Sequence, residues 1–86
     1  MDFANVKFSF LDDVEAAMEE RGISAEDIRE VVAWAEGPGG KLIGEECSLG
    51  KKRLDRFTVY VQYMLTDDEV SVSSAYSHRV TLREDN

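Results

Sequence analysis

His78 is the single histidine of the chain and lies in AYSHRV, Ala75 to Val80, with Tyr76 before it and Arg79 directly after. An imidazole changes charge near neutral pH, so a histidine beside a tyrosine and an arginine has the group types for general acid–base work, with Tyr76 and Arg79 in support. Strand alternation puts His78 on the face of Tyr76 and Val80 and turns Ser77 and Arg79 to the other side. A histidine on an apolar strand face also serves as a hydrogen-bonded side chain at the core margin. That structural reading asks for fewer partners, and we favour it over catalysis.

The remaining chemistry-bearing residues are sparser. Cys47 is the only cysteine, so the chain has no internal disulfide and no CxxC or Cys/His cluster for zinc. A nucleophilic pairing of Cys47 with His78 requires the two to meet in space beside an oxyanion-stabilising donor; otherwise Cys47 is a small hydrophobe. The consecutive acids Asp12–Asp13, Glu19–Glu20 and Glu45–Glu46 diverge on a helix or a strand and make poor metal sites. The run Gly37, Pro38, Gly39, Gly40 invites comparison with a phosphate-cradling loop, but such a loop follows a strand and opens a helix. Here the order is reversed, and the run reads as a plain connector. No catalytic, metal or cofactor signature emerges, and no cofactor is expected.

The elements that would position these groups centre on one long hairpin from Leu54 to Leu82. In its first arm Phe57, Val59, Val61, Tyr63 and Leu65 fall on one face, while Arg56, Thr58, Tyr60, Gln62 and Met64 fall on the other. The odd face should meet the core. In the second arm Val70, Val72, Tyr76, His78, Val80 and Leu82 share a face, with Ser71, Ser73, Ala75, Ser77 and Arg79 opposite. Thr66, Asp67, Asp68 and Glu69 make a polar four-residue connection suited to a type I turn. A further strand from Lys41 to Leu49 is expected to join the first arm by turning at Gly50, Lys51 and Lys52.

Upstream, Ala4, Val6, Phe8 and Phe10 alternate with polar residues and suggest a short strand at a sheet edge. Asp12 offers an N-cap with Glu15 three residues on, Val14, Ala17 and Met18 form an apolar stripe, and Gly22 stops the helix. A second helix has stronger signals: Ser24 as cap, Asp27 at the third position, and Ile23 with Ile28 spaced as a hydrophobic staple. Ile28, Val31, Val32 and Ala35 mark its buried stripe, while Glu26, Arg29, Glu30 and Glu36 should face water. Trp34 lies off that stripe, as flank packing or as part of an exposed patch.

These elements give an α+β fold of order β-α-α-β-β-β, with two helices packed on one face of a small twisted antiparallel sheet and residues 1–86 forming one domain. Eighty-six residues support a single core that removes only about 60 to 65 % of the unfolded chain's surface from water. The other sheet face, with Tyr60 and Met64, is left partly open, which favours a homodimer or docking on a larger protein. Net charge is −8, and the segment from Leu11 to Glu36 alone carries −7, with nine acids against Arg21 and Arg29. Such a field disfavours nucleic acid, whose backbone is bound through Lys and Arg. No apolar run approaches the ~18 residues of a membrane span, and the start MDFANVKFSF lacks a signal-peptide pattern. A cytoplasmic location is expected.

ISAEDIREVVAWAEGPGGKLI at Ile23–Ile43, FTVYVQYML at Phe57–Leu65 and AYSHRV together resemble small uncharacterised modules associated with glutamate-synthase-like flavin oxidoreductases of anaerobic bacteria. The resemblance spans about two-thirds of the chain, from Ile23 to Val80. It implies a non-catalytic accessory or interaction domain beside a flavin or iron–sulfur oxidoreductase subunit, with the electron chemistry done by the partner. One cysteine cannot hold an iron–sulfur cluster, and no GxGxxG fingerprint is present. RGISAEDIREVV at Arg21–Val32, followed by an antiparallel sheet, is also similar to RelE-like ribonucleases. The acidic balance departs from the basic surplus of such toxins, although Lys51, Lys52, Arg53, Arg56, Arg79 and Arg83 could gather on one sheet face, so the likeness is taken as one of fold. The alternative function, a small ribonuclease or hydrolase using His78, is motivated by the histidine beside Tyr76 and Arg79.

Overall fold

In the structure, a computed structural model, residues 3, 5–54, 57–66 and 68–78 are described. They form β1 (Lys7–Phe10), α1 (Asp12–Arg21), α2 (Ala25–Ala35), β2 (Leu42–Ile43), β3 (Ser48–Arg53), β4 (Thr58–Leu65) and β5 (Glu69–His78). The five strands make one open sheet in the order β1-β5-β4-β3-β2. The fold is therefore α+β, as the periodicities imply, with one strand more than expected. The sheet is also mixed rather than wholly antiparallel, because β1 runs parallel to β5. Parallel neighbours need a long connection between them, and here the two helices and three other strands supply it.

α2 forms as its sequence dictates. Ser24 Oγ accepts from the Asp27 amide and Asp27 Oδ2 accepts from the Ser24 amide, both at 3.0 Å, so two otherwise orphaned donors are satisfied reciprocally. Ile28, Val31, Val32 and Ala35 are all buried, as is Ile23 of the staple. α1 ends at Gly22, whose φ of 73° is the left-handed conformation that glycine adopts without strain. Its start differs from expectation. Leu11, not Asp12, takes the capping position, without a side-chain cap, because the Leu11 amide donates to Val72 O at 3.2 Å and holds Leu11 extended at the edge of the sheet. Asp12, Asp13 and Glu15 then occupy the first turn, where their charge complements the helix dipole.

Both helices lie on the face formed by Val59, Val61, Tyr63, Val70, Val72 and Ala75, all buried. α1 covers β5 and β1; α2 covers β3 and β4. Two side chains expected in water are engaged instead. The Arg29 guanidinium donates to Phe3 O and Val6 O, each at 2.9 Å, and lies 4.6 Å over the Phe8 ring, tying the N-terminal segment to α2. Glu36 is covered by Lys41 and Tyr63. Leu65, expected in the core, is 38 % exposed at the end of β4.

The segment before β4 also departs from expectation. Lys41 to Leu49 is not one strand: a tight turn at Gly44–Cys47, closed by the Gly44 amide on Cys47 O at 2.8 Å, separates β2 from β3. Gly50, Lys51 and Lys52 are mid-strand in β3, and the turn into β4 falls later, closed by the Leu54 amide on Phe57 O at 2.8 Å. Gly50 is in the strand for a packing reason. A Cβ there would stand 2.9 Å from Ala35 Cβ, so the missing side chain lets α2 approach β3.

In β5 one residue changes the facing of everything after it. Gln62 pairs with Ser74 and Tyr63 with Val72, leaving Ser73 as the extra residue of a bulge. Val70 and Val72 point at the helices before it, and Ala75 does so after it. Tyr76 and His78 consequently lie on the face opposite Val70 and Val72, correcting the uninterrupted alternation expected of this arm. Ala4, Arg56, Asp67 of the turn, Arg79, Val80 and Leu82 lie outside the described residues.

Candidate interaction surface

The helix-free face of the sheet carries an aromatic pair at its centre. Tyr60 of β4 and Tyr76 of β5 are direct cross-strand partners, their rings stacked with centroids 4.8 Å apart and planes 6° from parallel. A cross-strand aromatic pair stabilises the sheet and leaves the outer ring face to solvent. Tyr76 is 41 % exposed, and Met64 of the same face is 46 % exposed. Lys51 lies opposite Tyr60 on β3, and Leu42 lies opposite Leu49 at the sheet margin. Ser9 and Ser71 hydroxyls meet at 3.4 Å near the other edge, so this half of the face is polar.

The three side chains expected to form one interaction patch are only partly gathered. Tyr60 and Met64 share the open face, four residues apart on β4, or ~13 Å. Trp34 is on the helix side, where Lys52 Nζ lies 5.3 Å from its ring centroid and Gly39 packs against the indole so closely that a Cβ at Gly39 would overlap the ring. Tyr60 and Trp34 nevertheless meet at one groove of about 480 Å³ beside β3, with Lys51, Lys52, Arg53 and Thr58 as its other walls. From sequence Lys51 and Lys52 read as a turn with Gly50, which hides their place in the middle of β3.

His78 is exposed, opposite Thr58 and on the face of Tyr76. Its imidazole makes no hydrogen bond to another described residue, so no carboxylate among them orients the ring; Arg79 lies outside them. The core-margin role favoured for His78 is thereby corrected, since the bulge at Ser73 turns it to the open side. Cys47 is half-buried at the opposite end of the sheet. It adjoins Ser48, which pairs with Tyr63, whereas His78 pairs with Thr58, five positions away along β4 or ~17 Å. The structure does not bring the two together. Among the described residues no cluster of three or more His, Cys, Asp or Glu is arranged to hold a metal, and no helix is long and apolar enough to cross a membrane.

Where the chain leaves α2, Glu36, Lys41 and Tyr63 form a polar network not foreseen from sequence. Tyr63 OH donates to Glu36 Oε2 at 2.7 Å, and Lys41 Nζ donates to the same oxygen. Partial burial pushes the Glu36 carboxyl up, but the bonds from Lys41 and Tyr63 with the Lys41 charge outweigh it, leaving Glu36 below its ordinary value of 4.5. Burial, reinforced by the bond to the Glu36 carboxylate and its charge, holds the Tyr63 phenol far above its ordinary 10.0. A carboxyl depressed in the folded state adds stability that is present above its unfolded value and is lost as pH falls through the folded one. Glu36→Gln keeps the shape without the charge. It is expected to cost about 1 kcal/mol at pH 7 and to show a smaller stability loss than the parent between about pH 5 and pH 3, measured by urea denaturation across that range. Equal losses in both proteins would mean that the network contributes nothing.

No protein-family model, no curated protein and no solved structure matches this chain.

Proposed function

We propose that the chain is a non-catalytic interaction domain that docks through the helix-free face of its sheet, either on a subunit of a glutamate-synthase-like flavin or iron–sulfur oxidoreductase or on a second copy of itself. The observation that carries this reading is the stacked Tyr60–Tyr76 pair, half-open to solvent at the centre of a face that no other element of the described residues covers. Aromatic side chains ringed by polar groups are the usual anchors of protein interfaces. The redox partner is suggested by the sequence resemblance, which leaves electron transfer to that partner and gives this chain a positioning role. Nucleic acid is a poor fit to a chain of net charge −8.

Tyr76→Glu tests the reading, because Tyr76 is 41 % exposed and faces away from the helices, so the variant retains the core. The parent is expected to self-associate in sedimentation velocity, or to co-purify with a protein that carries flavin absorbance, and Tyr76→Glu to lose that association at least tenfold. A strictly monomeric parent that retains no flavoprotein overturns the proposal.

A further inference from the structure

We propose that the outer edge of β3 at Lys51–Arg53 is a docking site for an extended, acid-rich segment of a partner protein, which joins the sheet as an added strand. This deepens the reading of the chain as an interaction domain and rests on it.

β2 is two residues long and pairs only with Ser48 and Leu49, so among the described residues no strand pairs with the rest of β3 on its outer side, where the Gly39–Leu42 connector borders Lys51 only across a groove. The direction of its backbone groups follows from the two turns. The Gly44 amide bonds Cys47 O, which marks residue 47 as facing β2, and the Leu54 amide bonds Phe57 O, which marks residue 54 as facing the β4 side. Alternation along an antiparallel ladder then directs the amides and carbonyls of residues 47, 49, 51 and 53 outward. Leu49 is met by Leu42. Lys51 and Arg53 are left with their backbone donors and acceptors facing the groove. This is the template an extended peptide pairs with in strand addition.

Side chains define what would fit. Lys52 points to the helix side, where Glu30 Oε2 holds its ammonium at 2.7 Å and the Trp34 ring lies beneath it. Lys51 and Arg53 point to the open side, are exposed, and make no ion pair among the described residues. An added strand would place two residues, spaced two apart, beside Lys51 and Arg53, and turn the residue between them toward Trp34. Acid, apolar, acid is the complementary pattern. Two copies of this edge cannot serve each other, because antiparallel pairing would set Lys51 and Arg53 of one against those of the other, and like charges opposed across a sheet destabilise it. The edge is basic in a chain of net charge −8, which favours an acidic segment there.

The test uses the full chain, labelled with nitrogen-15, and two capped heptapeptides, one alternating glutamate with valine and the other alternating lysine with valine. The glutamate peptide is expected to give saturable amide shifts centred on Lys51, Lys52, Arg53 and the Trp34 indole. It should also slow solvent exchange of the Lys51 and Arg53 amides at least tenfold, and weaken severalfold when salt is raised to about 0.2 M. The double variant Lys51→Glu, Arg53→Glu should lose binding at least tenfold while the remaining spectrum is retained. No saturable shift at millimolar peptide overturns the proposal, as does equal binding of the lysine peptide or shifts centred on Tyr76 and Met64. The Tyr76→Glu association assay separates the two readings. Association without peptide binding defeats the edge site alone, and peptide binding in a chain that associates with nothing defeats the open-face reading.

Discussion

Replacing Gly50 by valine is expected to lower unfolding stability by about 3 kcal/mol, with a lower urea midpoint and an unchanged slope. The first added carbon would stand 2.9 Å from Ala35 Cβ, 3.4 Å from Tyr63 Cε1 and 3.5 Å from Val31 Cγ1, between strand backbone on one side and a helix on the other. None of these neighbours is the free end of a long side chain. α2 must therefore lift from β3 to admit the branches, opening contacts at Val31 and Ala35, both nearly inaccessible to water. Against the 5 to 15 kcal/mol typical of a domain, about 3 is a large fraction. Gly50→Ala should fall between parent and valine. A valine variant as stable as the parent would show that the helix does not press on this strand.

Two single-residue deletions in β5 should differ sharply. Without Ser73 the strand becomes regular, and Val70, Val72 and Ala75 still face the helices while Tyr76 still meets Tyr60, so a loss of about 1 kcal/mol or less is expected. Without Ser71, Val70 and Val72 become consecutive, and a strand cannot present both to one face. One fully buried valine must leave the core, at about 2 kcal/mol, and the parallel pairing of Phe8 with Val70 and Phe10 with Val72 must slip. The total should reach about 3 kcal/mol or more. Thermal denaturation of the two deletions decides the matter, and equal behaviour would remove the bulge from the description of β5.

Residues whose partners lie nearby in sequence could be read in advance. The Ser24–Asp27 box, the stripe of Ile28, Val31, Val32 and Ala35, the stop at Gly22 and the inward run of Val59, Val61 and Tyr63 all rest on spacings of a few residues. Where the deciding partner is distant, local pattern misleads. Asp12 looks like a cap until Val72 pins Leu11. Gly50 looks like a turn until Ala35 is placed against it. Nothing in the serine pair Ser73–Ser74 announces that one of them is extra, and Tyr76 and His78 were put on the wrong face for that reason. The candidate surface was legible to the same extent. Tyr60 and Met64 follow from simple alternation, whereas the edge at Lys51–Arg53, unpaired among the described residues, depends on β2 stopping after two residues.

The pairing of β1 with β5 constrains how the chain reaches this structure. Ser9 and Ser71, 62 positions apart in sequence, meet at 3.4 Å, and closing so long a loop is among the slower steps available to a small domain. As the chain emerges from a ribosome, α2, β3 and β4 can associate early, but Phe8 and Phe10 have no strand to lie against until β5 has been made. For that interval the two aromatic rings of β1 lack their partners in β5. Synthesis rate, and chaperone access to the nascent N-terminal segment, therefore bear on the yield of folded protein more than on its final stability.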